Sequence, residues 1–398
     1  MENTRPTLFV EINKFEYVFA VGNYKNDNTC ELLQKINVPI KGISNNKISD
    51  LEIFLSITKE NIFLIEQKLN YTLKDVVIII DNFECCTKSV SGFKKLNGSQ
   101  LSKENISYII NSLKLKIIEN EPLKTILHIF NSKYFLDEKE IDNLPIGLFG
   151  NFYSHELSFL LWNKNDYKNL LNIFNKCNLR VKRIISKSFI EGVNLINNHQ
   201  NLQTFFKIEI NKNFSRILFF ENLSLKFTQN FQFGSDLLLK DISKITGLDF
   251  DIIKNLLQDL KLNKNINYEE NIEEKFFKNI NFRKIKKNLV FEIAAARIEE
   301  FSEIILKKNV NLKHLLKKNT KIFLCLIDEE VGRSFDTTYK KFFSALQSHE
   351  VSIITNLLFE DIFETTNRIV HYGWSKEAIP ITQEKRSVIA RFFDQIFG

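Results

Sequence analysis

The sequence predicts an α/β fold built twice, as two lobes of one duplicated unit. Three observations carry this expectation. The tetrapeptide Glu-Ile-Asn-Lys occurs as Glu11-Ile12-Asn13-Lys14 and again as Glu209-Ile210-Asn211-Lys212. Each copy lies between two apolar runs, Leu8-Phe9-Val10 and Tyr17–Val21 for the first, Phe205–Ile208 and Ile217–Phe220 for the second. That is the pattern of a β-hairpin with a polar turn. The two hairpins lie about half a chain apart, which suggests a repeat rather than one long domain.

The elements follow in order. Hairpin strands at 8–21 and a third strand near Glu31–Ile40 open the first lobe. A helix from about Ser49 to Leu69 takes Ser49 or Asp50 as its cap, and Asp75–Ile80 has the length and apolar run of a buried strand. From Phe83 to about Trp162 the pattern becomes a small α+β region. It has a helix near Ser102–Leu115 capped by Ser102, then strands at Thr125–Phe130, Tyr134–Leu136 and Ser154–Leu161. A helix at Asp166–Cys177, a strand at Val181–Ser186 and a helix at Phe189–Asn197 return to the lobe. After the second hairpin, residues 236–306 read as helical, with a polar break at Lys261–Glu274. Strand Ile322–Leu326, helix Thr337–Gln347 and strand Val351–Thr355 close the second lobe.

Composition bounds the function. The 398 residues are 44% hydrophobic and 26% charged, as in a globular protein. Heavy use of Lys, Asn, Ile and Phe, with 12 Gly, 5 Pro and one Met, reads as the codon bias of an AT-rich genome. The net charge of +7 is scattered among acids, so it does not point to nucleic acid. Cys30, Cys85, Cys86, Cys177 and Cys325 have no CxxC spacing, and the six histidines form no HExxH pair. The cysteines read as free thiols of a reducing cytosol. No signal peptide is expected from Met-Glu-Asn-Thr-Arg, and no apolar run reaches the ~18 residues of a spanning helix. A cytoplasmic protein is expected.

The order strand-strand-strand-helix-strand is that of half an actin-like (RNase H-like) domain. Several phrases then resemble the FtsA family of actin-like cell-division proteins, over nearly the whole chain. Lys41-Gly42-Ile43 with Ile48-Ser49-Asp50 resembles the family's approach to its first helix. Ile129-Phe130, Tyr134-Phe135-Leu136-Asp137 and Asn143–Gly150 resemble its Tyr-x-Leu-Asp…Asn-Pro-x-Gly-Met-x-Gly passage, which lies in the insert that separates it from actin. Phe233-Gly234-Ser235-Asp236 with Lys240-Asp241-Ile242, and Arg297 with Glu299-Glu300, resemble two further motifs. The resemblance implies residues 1–83 and 162–200 as the first actin-like lobe and 84–161 as an SHS2-like α+β insert. Residues 201–230 and 305–380 form the second lobe, 231–304 its helical subdomain, and 381–398 a tether with a membrane-targeting helix.

The nucleotide loops depart from that family's pattern in all three places. Its Gly-containing turns are replaced by Glu11–Glu16, by Glu209–Arg216, and in the adenosine loop by Cys325-Leu326-Ile327-Asp328-Glu329. Glycine serves such loops because backbone N–H groups must approach phosphate closely, often at positive φ. Asn211 and Asn213 tolerate the turn without making that room. A packed pair of hairpins with no held cofactor and no catalytic residues is therefore expected. The remaining route to ATP with Mg²⁺ runs through the carboxylates Glu11 and Glu209, with Lys14 or Lys212 drawing a phosphate and Gly234 and Asp236 beside them.

The tail has its own pattern. Val388, Phe392 and Ile396 repeat at helical spacing, and Ile389, Phe393 and Phe397 form a second apolar row, with Lys385, Arg386 and Arg391 flanking them. Such a face fits either the chain's own core or an anionic membrane surface. The resemblance favours the membrane. It further implies a scaffold on the cytoplasmic face of the inner membrane at the division site, self-assembling into protofilaments. The FtsZ C-terminal peptide would meet the helical subdomain and later division proteins the insert. Two rivals remain open: an active actin-fold ATPase with a non-standard site, and a pilus-assembly scaffold of the PilM kind, whose class lacks the terminal helix.

Overall fold

The computed structural model describes residues 5–24, 30–44, 46–81, 83–262, 269–277, 282–315, 320–328, 330–345 and 349–378. They divide into two compact units, the first drawn from Met1–Gln203, Phe220–Phe227 and Leu357–Gly398, the second from Thr204–Phe219 and Thr228–Asn356. The predicted tail residues Lys385, Arg386, Val388, Ile389, Arg391, Phe392, Phe393, Ile396 and Phe397 lie outside the described residues, as does Glu329.

In the first unit, β1 (Thr7–Ile12), β2 (Glu16–Tyr24) and β3 (Cys30–Pro39) form a meander, followed by the short pair β4 (Ile43–Ser44) and β5 (Lys47–Ile48). Helix α1 (Leu51–Leu69) starts at Asp50, whose carboxylate accepts from the N–H groups of Glu52 and Ile53 at 3.0 and 2.9 Å. That settles the choice of cap and satisfies two of the helix's orphan donors. Strand β6 (Asp75–Ile80) runs parallel to β1, and all twelve residues of the two strands are buried. Their unbroken apolar runs fit a strand covered on both faces. Tyr17 stacks on Phe54 of α1 on one side, and Phe9 faces the other.

A four-stranded sheet interrupts this lobe. Its strands are β7 (Cys86–Lys95), β8 (Lys124–Leu136), β9 (Lys139–Ile141) and β10 (Phe152–Asn163), in the order β7-β10-β8-β9. Helix α2 (Lys103–Asn120) lies between β7 and β8 in sequence and buries Ile106, Ile109, Ile110, Leu113 and Ile117. These residues meet Tyr153, Leu157 and Phe159 of β10 in one core. The lobe then resumes with α3 (Lys164–Lys176), β11 (Arg180–Ser186) and α4 (Lys187–Asn198), giving the sheet order β11-β6-β1-β2-β3.

The second sheet has β12 (Phe205–Ile210), β13 (Ser215–Glu221) and β14 (Ser224–Phe231), then β15 (Lys321–Leu326) and β16 (Val351–Ile354). Its order, β14-β13-β12-β15-β16, repeats that of the first: three consecutive strands, then two parallel ones. The duplicated fold expected from the tetrapeptides is the fold that forms. Helices α5 (Asp236–Thr246), α6 (Phe250–Leu262) and α7 (Lys287–Ser302) fall between β14 and β15, and α8 (Asp336–Ala345) between β15 and β16. Arg297 of α7 pairs with Asp241 of α5 and with Glu300.

The last helix, α9 (Phe359–Tyr372), belongs to the first unit and packs on α4, with Phe363 4.8 Å from Phe9. The residues after it lie beside β8: Asn131 N–H donates to the Lys376 carbonyl at 2.7 Å and Ala378 N–H to that of Ile129 at 2.8 Å. Glu377 between them is buried and bonded to Arg183 and to His128 Nδ1. Burial pushes its carboxyl up, but Arg183 and His128 outweigh this and bring it to about 2.

Candidate functional site

In the first unit the candidate site is the end of β1 and the turn after it. Glu11 occupies a wholly buried strand, where an uncompensated carboxylate would be costly. Its partner is Lys187, the first residue of α4, whose Nζ lies 2.8 Å from Glu11 Oε1 and 3.2 Å from Asp81 Oδ2. Asp81 follows β6 and is held there by its N–H bond to the Ile12 carbonyl. Burial by itself disfavours the Lys187 charge, yet Asp81, Glu11 and Glu191 prevail and hold the ammonium above the ordinary lysine range. One cation is thus shared by two contacting carboxylates.

The turn closes on itself. Asn13 Oδ1 accepts from the N–H groups of Phe15 and Glu16, each at 2.9 Å. These are the donors a phosphate-binding turn would present. Lys14 lies on the exposed turn, close in sequence to Glu11.

The second unit solves the same problem with other residues. Glu209 is buried on β12 and takes Lys207, two residues earlier on the same face, on Oε1. Arg216 of β13 approaches Oε2 with Nε at 2.9 Å and a terminal nitrogen at 2.7 Å. One carboxylate is therefore matched by two cations.

The neighbouring helix terminus is also occupied. Ser235 and Asp236 N–H donate to the carbonyls of Asn211 and Lys212, at 2.9 and 3.0 Å. Gly234 permits this contact: a Cβ there would come within 2.1 Å of the Asn211 carbonyl oxygen. Its glycine serves the packing of the turn. Ser235 Oγ donates to Asp328 Oδ2 at 2.5 Å, and Asp328 Oδ1 accepts from Glu330 and Val331 N–H, folding the third loop onto the second. Asn211 Nδ2 is buried with no partner, a donor with spare capacity in this corner.

The structure thus groups Glu11 with the Lys14 turn in the first unit, and Glu209, Lys212, Gly234 and Asp236 in the second. Lys187, Asp81, Lys207 and Arg216 escaped the sequence reading. Lys207 was within reach, because a lysine and a glutamate two apart on a buried strand share a face. Lys187 meets Glu11 across 176 residues and leaves no local signal. ATP with Mg²⁺ needs anion-facing N–H groups and uncompensated carboxylates. Among the described residues, the N–H groups of Phe15, Glu16, Ser235 and Asp236 are bonded within the chain, and Glu11 and Glu209 are neutralised. As folded, these loops do not fit the ligand. Among the described residues no group of three or more His, Cys, Asp and Glu could hold a metal ion.

No family model matches the chain. It is similar to the cell division protein FtsA of Buchnera aphidicola subsp. Acyrthosiphon pisum (strain APS), 21% identical over 412 aligned positions that cover 98% of this chain and 94% of that one. FtsA of Buchnera aphidicola subsp. Baizongia pistaciae (strain Bp) is 21% identical over 61% of this chain and 57% of its own length. Among solved structures, a chain of the PilM-PilN type IV pilus biogenesis complex superposes with a TM-score of 0.51 at 8% identity, covering 92% of this chain and 96% of that one.

Two sheets of repeated topology, together with that superposition, define an α/β protein of the actin-like fold. Within that class the chain is a divergent FtsA-like protein.

Proposed function

We propose that this chain is an FtsA-like scaffold of bacterial cell division that ties the FtsZ ring to the cytoplasmic membrane, self-assembles into protofilaments and works without nucleotide turnover. The observation that carries the reading is similarity to FtsA along 98% of the chain. The closed loops support the nucleotide-independent part. On this reading the insert at 84–161 meets neighbouring subunits and later division proteins, and the region 231–304 meets the FtsZ C-terminal peptide. Residues 381–398 bind anionic lipid. No helix among the described residues is long and apolar enough to cross a membrane, so attachment would rest on the interfacial pattern of the tail.

Vesicle co-sedimentation tests the proposal. The full chain should bring FtsZ to anionic vesicles without added ATP, and Phe392→Glu or Phe393→Glu should abolish this, since an ionised side chain enters the hydrocarbon boundary only at high cost. Arg391→Ala should weaken it by about 1 kcal/mol, mostly at low salt. Vesicle binding unaltered by the Phe substitutions, or a large fall in melting temperature with them, would return the tail to the chain's own core.

A PilM-like pilus-assembly role is the second reading, favoured by the superposition on the PilM-PilN chain. Capture of a pilus-assembly peptide in place of the FtsZ peptide would select it.

A further inference from the structure

Strand β7 is the outermost strand of the four-stranded sheet, and no strand lies beyond it among the described residues. It pairs with β10 through ten consecutive positions, from Lys95 opposite Phe152 to Cys86 opposite Leu161, with no bulge. Proteins usually blunt such an edge by shortening it, bulging it, or placing Pro or charged side chains, Lys above all, in it; lysines repel a second basic edge but not an acidic strand. This strand is ten residues long, regular and free of Pro.

Its two faces differ. A Cβ on Gly92 would come within 2.6 Å of Ile109, so Gly92 faces α2. Phe93 therefore points away from the helix. It is 64% exposed, with its ring stacked on Phe152 at 5.3 Å and 23°. An aromatic shelf thus borders the open ladder. The strand carries Lys88, Lys94 and Lys95 and no acid. Lys88 is paired with Glu121, while Lys94 lies over the Tyr108 ring at 4.7 Å.

We propose that the outer edge of β7 is a docking site for an extended, acidic segment of a partner protein. The segment adds as a fifth strand, sets an apolar side chain on the Phe93–Phe152 shelf and brings carboxylates to Lys94 and Lys95. Ladder hydrogen bonds supply affinity in this mode, and alternate side chains supply specificity. A second copy of the chain is a poorer occupant. Each β7 would bring three lysines and no acid to the shared ladder, and like charges set opposite one another destabilise strand pairing. The geometry of this sheet selects the edge, and the proposal deepens the reading that the insert at 84–161 meets partner proteins; a peptide assay without FtsZ or vesicles keeps the two tests apart.

The test uses the full chain and a labelled synthetic peptide of Glu and Val with one central Phe and two adjacent Glu beside it, so that a carboxylate lies on each face. Fluorescence anisotropy at low salt should show saturable binding, and amide exchange should slow over residues 86–95. The double variant Lys94→Glu/Lys95→Glu should weaken binding about tenfold. Phe93→Ser, at an exposed position that leaves the core intact, should weaken it severalfold with an unchanged thermal melt. Several results would overturn the proposal: no saturable binding, equal affinity for the peptide with Lys in place of Glu, or protection elsewhere than β7. Concentration-dependent self-association that disappears in the double variant would assign the edge to a second copy, and so overturn it too.

Discussion

The two Glu-Ile-Asn-Lys corners share their sequence and their strand position, yet they neutralise the buried glutamate in opposite ways. Glu11 and Asp81 share a single lysine, Lys187, which arrives from a helix far along the chain. Glu209 is met by two cations, Lys207 from its own strand and Arg216 from the next. The first corner is acid-rich and the second cation-rich. Duplication fixed where the carboxylate sits. The low-dielectric surroundings then demanded compensation, and each lobe supplied it from whichever neighbour could reach.

That contrast predicts unequal outcomes for the same substitution. Glu209→Ala takes from Lys207 and Arg216 the carboxylate they share, and both side chains are almost wholly buried. Removing one partner of a buried ion pair costs about 3–5 kcal/mol, and denaturant unfolding should find a loss in that range. Glu11→Ala should be far milder, because Lys187 keeps Asp81 at 3.2 Å. A loss of about 1 kcal/mol, that of one hydrogen bond, is expected. Equal losses at the two sites would break the comparison.

A third buried group meets the same demand by staying neutral. His155 lies beneath α2 in the four-stranded sheet with neither ring nitrogen bonded, and burial drives its imidazole down to about 3. Between about pH 6.5 and 3 the unfolded chain therefore binds a proton that the folded chain refuses, and stability falls as pH falls. The slope is about 1.4 kcal/mol per pH unit, or about 2 kcal/mol by pH 5. This places the effect between those of the two glutamates. His155→Leu should flatten that part of the pH profile. His128, also buried, differs in giving Nδ1 to Glu377 and taking the Ser186 N–H on Nε2. Burial lowers it as well, although Glu377 opposes the shift.

Much of the lobes was legible because their strands are apolar runs and their helices carry caps: Asp50, Ser102 and Val76–Ile80 all lie where the sequence places them. The apparent break between Phe130 and Tyr134 is a bulge and not an end: β8 continues through Asn131-Ser132-Lys133, its pairing with β10 skips Ser132, and the Ser132 and Lys133 side chains find partners. Lys226 reaches Ser132 at 2.9 Å, for example. Besides the two- and three-residue strands β4, β5 and β9, three longer elements went unread. Strand β7 is an edge strand of Ser, Thr and Lys with little apolar signal. Strand β14 mixes polar and apolar residues, and its second half is only half-buried. Helix α9 buries Thr365, Thr366 and Asn367, poor helix formers that tertiary packing overrides. At the candidate site, the glutamates and the missing glycines were legible. The cations were mostly not, because Lys187 follows β11 and reaches Glu11 only through the parallel strands β11, β6 and β1.

The smallest expected effect concerns Asn13. Its side chain closes the first turn by accepting from Phe15 and Glu16. Asn13→Gly removes those bonds and gives the turn the backbone freedom that phosphate-binding loops use. The expected loss of stability is about 1 kcal/mol or less. If the side chain were the only barrier to an anion, the variant would bind ATP. Lys187 would still be committed to Glu11 and Asp81, however, and the turn would retain an acid-rich floor that repels phosphate. ATP affinity should therefore remain millimolar or weaker by calorimetry. Micromolar binding by Asn13→Gly, with the parent chain inert, would show that the Asn13 cap alone closes the first corner. It would also remove the carboxylate pairing as the feature that sets the two corners apart from a working nucleotide site.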